Sequence, residues 1–185
     1  SKRKKKIMTK NLQLATVGGG CFWCTEAVFQ NVKGVEKVKS GYSGGTVPGH
    51  PTYREITSGL TGHAEVIQIT FDANVVSFET ILIIFISTHN ATTLNRQGAD
   101  VGTQYRSVIF YHNDMQKKTA EGVISELSEY YERPIVTQIA IFKVFYEATI
   151  EHQNFYKNNP ENGYCSFVIA PKLAKHRKLY ADKLK

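Results

Sequence analysis

Cysteine is scarce in this chain. Three residues in 185, Cys21, Cys24 and Cys165, are too few and odd in number for a disulfide framework. A chain of this length buries a core without covalent or metal staples, so the thiols are expected to be free or catalytic, in a reducing compartment. Long apolar runs are missing too. The longest, Ile81 to Ile86, is far shorter than the ~20 residues of a membrane-spanning helix, and no membrane span is expected. No apolar stretch follows the basic N-terminus, so the pattern of a secretory signal is not seen. A cytoplasmic location is the expectation, with export after N-terminal processing as the alternative. Acidic residues are absent from the first ten positions, where six basic ones fall: Lys2, Arg3, Lys4, Lys5, Lys6 and Lys10. The net charge of +7 is therefore concentrated at one end, and the rest of the chain holds 17 basic and 16 acidic residues. Residues 1–11 are expected to form a disordered basic tail and residues 12–185 a single domain. The near-neutral body gives no reason to expect a nucleic-acid partner.

The patterning that is present reads as interleaved strands and helices. Leu12 to Val17 has strand character and runs into Gly18-Gly19-Gly20; Phe22 to Val32 has the spacing of a helix with a buried face. Val35 to Tyr42 reads as a strand, Ser43 to Thr52 as a loop and Tyr53 to Thr57 as a short helical turn. Glu65 to Phe71 alternates as a strand does, and Ser77 is placed to cap a helix reaching about Ser87. Thr88 to Thr103 lacks a period. A strand over Arg106 to Tyr111, a long helix from Asp114 to Tyr131, a strand over Val136 to Phe142 and a short helix over Glu151 to Tyr156 follow. Asn162 to Ala170 reads as extended, and Pro171 opens a basic helix to about Lys183. The fold class expected is α+β, a two-layer sandwich of a mixed sheet with helices packed on it.

Cys21 falls where a strand passes through a glycine turn into a helix. A cysteine attacks as thiolate, and a helix N-terminus lowers the pKa of a thiol from its usual ~8.5. An inert, buried cysteine at a helix start is the alternative from this segment alone. Other motifs fit less well. No GxxxxGK[ST] run follows the glycines. Cys21-Phe22-Trp23-Cys24 has thioredoxin-like spacing, but as half of a zinc site it lacks a second pair. Cys165 with His152 or His176 matches no common zinc pattern.

GCFWCTEAVF (20–29) resembles the GCFW-x-x-E signature of the type A peptide methionine sulfoxide reductases. The resemblance continues through GYSGG (41–45), PTYREI-TSG (51–59), GHAEV (62–66), RQGADVGTQYRS (96–107) and NGYC (162–165), in the family's order over nearly the whole chain. It implies the ferredoxin-like fold of that family and reduction of methionine-S-sulfoxide, free or in proteins. Cys21 would attack the sulfoxide sulfur and be left as a sulfenic acid. A second thiol would form a disulfide, and thioredoxin would be the electron donor. No bound cofactor or metal is implied, and a monomer is expected. Glu65 would donate a proton to the sulfoxide oxygen. Tyr53 and Tyr105 would hydrogen-bond that oxygen, Phe22 and Trp23 would receive the methyl group, and Asp100 would help shape the site.

Two positions depart from the family pattern. Cys24 stands where glycine is common, so Cys24 competes with Cys165, favoured by its place in NGYC and by an expected mobile segment, for the resolving role. His89-Asn90-Ala91-Thr92 replaces the expected His-Asp-Pro-Thr, which is expected to loosen that loop. Two rival readings remain: a general CxxC disulfide oxidoreductase, and a basic adaptor docking through its tail.

Overall fold

A computed structural model of the chain describes residues 9–46 and 49–185. Strand β1 (Leu12–Gly18) is followed by α1 (Phe22–Phe29), β2 (Val35–Ser43), α2 (Tyr53–Thr57), β3 (Ala64–Asp72) and α3 (Phe78–Ser87). A two-residue hairpin of β4 (Arg96–Gln97) and β5 (Asp100–Val101) leads to a 3₁₀ turn at Thr103–Tyr105 and to β6 (Val108–Tyr111). Then come α4 (Asp114–Ser128), β7 (Gln138–Ile141), β8 (Phe145–Glu147), a 3₁₀ turn at Ile150–His152 and α5 (Phe155–Asn158). A π-helical turn, Cys165–Ile169, runs into α6 (Ala170–Leu179), and a 3₁₀ turn at Ala181–Lys183 follows.

Six strands form one sheet in the order β7-β6-β1-β3-β2-β8. It is mixed: β6 and β7 pair in parallel and the other neighbours antiparallel. Alternation decides its two faces. Ala15, Val17, Ile67, Ile69 and Phe71 join one core with the buried sides of α1, α3, α4 and α6, whereas Ala64, Val66, Val108 and Phe110 form a small second cluster on the other face. The α+β sandwich expected from the sequence is thus the architecture found. The apolar face of α3 (Ile81, Leu82, Ile84, Phe85, Ile86) is wholly buried, and Ser77 caps it by accepting the Thr80 N–H at 3.0 Å. Fully burying one such side chain contributes roughly 1.5–3 kcal/mol.

Several expectations shift at their edges. The first helix stops at Phe29 rather than Val32 because the C-terminus returns beside it: Lys33 N–H donates to Lys183 O and Lys185 N–H to Asn31 O, both at 2.8 Å. The expected helix over Glu151 to Tyr156 is split in two at Asn154, whose φ of 55° is left-handed. Of the segment Asn162 to Ala170, Gly163 onward is helical, not extended: Cys165–Ile169 forms a π-helical turn continuous with α6. β8, three residues with no alternation to reveal it, pairs with Gly41–Ser43. Of the expected basic tail, residues 1–8 lie outside the described residues. Lys10 pairs with Glu36 at 2.8 Å and Asn11 N–H donates to Asp72 at 3.1 Å.

The loop at 88–103 is held by hydrogen bonds at both His89 and Asn90. His89 uses both ring nitrogens, one on Phe85 O at 2.6 Å and one on Ser107 Oγ at 2.7 Å. Asn90 Oδ1 accepts from the Thr92 N–H at 3.0 Å and hydroxyl at 2.6 Å, and its own N–H donates to Gln97 at 2.9 Å. Asn90 supplies the same local acceptor as the expected aspartate.

Candidate active site

The glycine run works through close approach. A Cβ on Gly18 would lie 2.5 Å from the carbonyl oxygen of Glu65, a backbone atom that cannot step aside. Gly20 has φ of 84°, left-handed backbone that favours glycine, and donates its N–H to Tyr105 O at 3.2 Å. The turn therefore delivers Cys21 next to both the start of β3 and the 103–105 turn. Gly18→Ala is expected to destabilise the fold by about 1–3 kcal/mol, as overpacking does. Urea denaturation measures this, and an unchanged midpoint would contradict it.

Cys21 is the N-cap of α1 and 9% exposed. Glu65, the second residue of β3, is 1% exposed, and its Oε1 accepts the Phe22 N–H at 3.2 Å. Tyr42 is directly opposite Glu65 in the β2–β3 register, which puts both side chains on one face. Tyr53 opens α2, held by a reciprocal cap in which Thr52 and Glu55 each accept the other's N–H. Gln104 donates to Thr57 O at 3.4 Å and so ties α2 to the turn carrying Tyr105. Asp100 accepts the Tyr164 hydroxyl at 2.9 Å. The charge of Glu65 and Asp100 raises the pKa of Cys21, Tyr53 and Tyr105 alike. Cys21, Glu65, Tyr53, Tyr105 and Asp100, scattered over 85 positions, are one cluster.

Around them stands an aromatic enclosure. Phe22 packs on Tyr42 and on His152, each at 5.6 Å between ring centres. Trp23 lies flat on Phe155, 3.6 Å apart and 6° from parallel, meets Tyr164 edge-on at 6.0 Å, and donates Nε1–H to His152 Nδ1 at 3.3 Å. Tyr53, 36% exposed, closes on His152 at 4.4 Å. Tyr42, His152, Phe155 and Tyr164 were not singled out from the sequence for this role. Their aromatic character was visible, but no spacing announced that distant segments would meet Trp23.

Burial sets the protonation states. It pushes the Glu65 carboxyl up to about 8, against the Phe22 N–H that favours its charge. It also raises Cys21 well above the usual thiol value, helped by the charge of Glu65. This corrects the expectation of a thiol kept low by the helix N-terminus. The Trp23 N–H does lower it, but enclosure prevails and Glu65 has taken the Phe22 N–H. Burial holds the Tyr53 hydroxyl up to about 12 and Tyr105 higher still, so both remain O–H donors at neutral pH.

All three cysteines are free and buried. Cys24 follows Cys21 by one helical turn, its N–H donating to Cys21 O at 3.1 Å, and its sulfur lies 3.9 Å from the Tyr164 hydroxyl. The charge of Cys165 is felt by Cys24. Cys165 has no exposed surface and sits in the helical segment, which corrects the expectation that an extended segment carries it. His152 stands against Trp23 whereas His176 packs on Tyr180 in α6. Among the described residues no three His, Cys, Asp or Glu side chains gather as metal ligands, and no helix is long and apolar enough to cross a membrane.

The family model for peptide methionine sulfoxide reductase matches residues 13–184. The chain is 55% identical over 174 residues to peptide methionine sulfoxide reductase MsrA of Saccharolobus solfataricus, covering 94% of this chain and 98% of that one. Among solved structures, Mxr1 from Saccharomyces cerevisiae in reduced form is similar, with a TM-score of 0.79 and 31% identity over 86% of this chain and 94% of the other. Mxr1 in complex with Trx2 superimposes with a TM-score of 0.57 at 23% identity over 81% of this chain and 91% of the other, a likeness of fold. The chain therefore belongs to the peptide methionine sulfoxide reductases of the MsrA type, oxidoreductases that act on methionine sulfoxide.

Proposed function

We propose that this chain reduces methionine-S-sulfoxide, free and protein-bound, with Cys21 as nucleophile, Glu65 as proton donor, and a disulfide recycled by thioredoxin. The observation that carries the reading is the buried Glu65 carboxyl held on the Phe22 N–H at 3.2 Å, next to the Cys21 thiol, where burial keeps it protonated. A sulfoxide sulfur is a poor electrophile until its oxygen takes a proton, and a buried neutral acid supplies one where water cannot. Tyr53 and Tyr105 offer two further donors to the oxygen as charge develops there. The methyl group lies against Phe22 and Trp23, with Asp100 and Tyr164 at the edge. Cys21 gains the oxygen as the sulfur–oxygen bond of the substrate breaks, and methionine leaves. The sulfenic acid then condenses with a thiol, releasing water.

Although the NGYC position favours Cys165 for that step, Cys24 is the nearer partner, since residues three apart at a helix start fall within the ~7 Å Cα separation a disulfide allows. Cys165, behind Cys24, then takes over the pairing, and thioredoxin reduces the last disulfide by thiol exchange. The complex of yeast Mxr1 with Trx2 supports thioredoxin in this role. Reading the chain as a general CxxC oxidoreductase would leave Glu65, Tyr53 and Tyr105 idle. Mass spectrometry after one turnover without reductant tests the order. Cys24→Ser is expected to accumulate the Cys21 sulfenic acid and Cys165→Ser to stop at a Cys21–Cys24 disulfide. A Cys21–Cys165 disulfide formed at full rate in Cys24→Ser would contradict the relay.

A further inference from the structure

Glu26 is a buried acid that this chemistry does not use. It lies on α1 three residues after Trp23 and is 1% exposed. The Ser40 hydroxyl donates to its Oε2 at 3.0 Å, and the backbone amides of Asn154 and Phe155 favour the charged form of the same carboxyl. Those two amides belong to the segment that walls the enclosure. Asn154 reverses the chain in left-handed backbone, Phe155 next to it lies flat on Trp23, and His152 just before accepts the Trp23 Nε1–H. Gln153, between them, is locked on β2: it accepts the Ser40 N–H at 2.9 Å and donates to Ser40 O at 2.8 Å and Ala148 O at 3.0 Å. Ser40 thus joins Glu26 to the His152–Phe155 segment, which is also held by Ala148, Gln30 and Trp23 itself.

We infer that Glu26 is a positioning residue, a carboxylate latch that holds His152 and Phe155 against Trp23 and so sets affinity for the methionine sulfoxide side chain. This rests on the reading of the enclosure as the substrate site. The carboxylate accepts from Ser40 through a charge-assisted bond, roughly twice as strong as a neutral one, and is favoured by the two amides. The protonated acid donates to Ser40 Oγ instead and gives up the attraction of the two amides. Burial pushes the carboxyl up to about 7, against its hydrogen bonds and the field of Lys39 on β2. Lys39 is itself paired with Glu147 at 2.8 Å. The other titratable or charged groups on elements packed against α1 include Lys37 and Glu36 on β2, Glu65 on β3, His152 and Lys157 in the held segment, Cys165, and Lys172, Lys175, His176, Arg177 and Lys178 on α6.

Trp23 is the only tryptophan, so its fluorescence reports the stack directly. The wild-type emission is expected to titrate with a midpoint near pH 7. Ser40→Ala, which removes a donor to the charged form, should move the midpoint upward. Glu26→Gln, whose amide copies the protonated acid, should lack the transition. Burial lowers His152 from its ordinary value, so its own effect on Trp23 falls at lower pH. In a Cys21→Ser background, Glu26→Gln should weaken binding of an S-sulfoxide peptide by up to about fivefold at pH 8, and not at pH 6. A transition near pH 7 that persists in Glu26→Gln, or a midpoint unmoved by Ser40→Ala, would overturn the latch. If the fluorescence behaves as expected but Cys21→Ser binds no sulfoxide, the reading of the enclosure fails while the latch stands.

Discussion

Cys21→Ser is expected to abolish sulfoxide reduction, lowering turnover by at least about 10⁴-fold, the scale on which loss of a covalent nucleophile acts. The hydroxyl occupies the same N-cap position beside the same Glu65 and leaves the aromatic enclosure intact, so substrate binding should survive. Steady-state assay with a thioredoxin system and binding titration separate the two effects. Neither remaining thiol can substitute. Cys24 is 3% exposed and turned toward Tyr164 and Cys165, and Cys165 has no exposed surface. Residual turnover near the wild-type rate would remove Cys21 from the mechanism.

Glu65→Gln should slow the chemical step by about 10²–10⁴-fold, the usual range for lost general acid catalysis. Its amide still accepts the Phe22 N–H, so the fold is expected to hold. The pH dependence gives a sharper readout. An acid must be protonated to donate, and burial pushes Glu65 up to about 8. The single-turnover rate of the wild type should therefore fall as pH rises through about 8. In Glu65→Gln that alkaline limb should vanish. Because ionised Glu65 also raises Cys21, the two groups compete for charge: thiolate forms most readily while Glu65 holds its proton. Single-turnover kinetics across pH 6 to 10 would show this, and a limb that remains in the glutamine variant would assign it to another group.

How much of this was legible in the sequence depends on how local each cause is. The strand, glycine turn and helix around Cys21 follow from nearby residues, and so does the cap at Ser77. Glu65, Tyr53, Tyr105 and Asp100 were singled out only through the family's blocks, because their meeting depends on β3 lying between β1 and β2. The direction of the Cys21 shift was misread for the same reason. A helix N-terminus is visible in sequence, whereas a carboxyl from 43 residues away docking on the Phe22 N–H is not. The segment at 162–170 read as extended from its glycine and aromatic content, yet Ile169 and Leu173 reach the core and draw it into a helix. Propensity yields there to tertiary packing.

The most direct test follows the oxygen. Methionine-S-sulfoxide carrying a heavy oxygen isotope is given to the Cys24→Ser, Cys165→Ser double variant for one turnover without reductant, and the intact protein and its peptides are weighed. One equivalent of methionine and a single heavy oxygen on the peptide containing Cys21 are the predicted result. Methionine released with the label in water and an unlabelled oxygen on Cys21, or with the oxidised site on another peptide, would contradict the account.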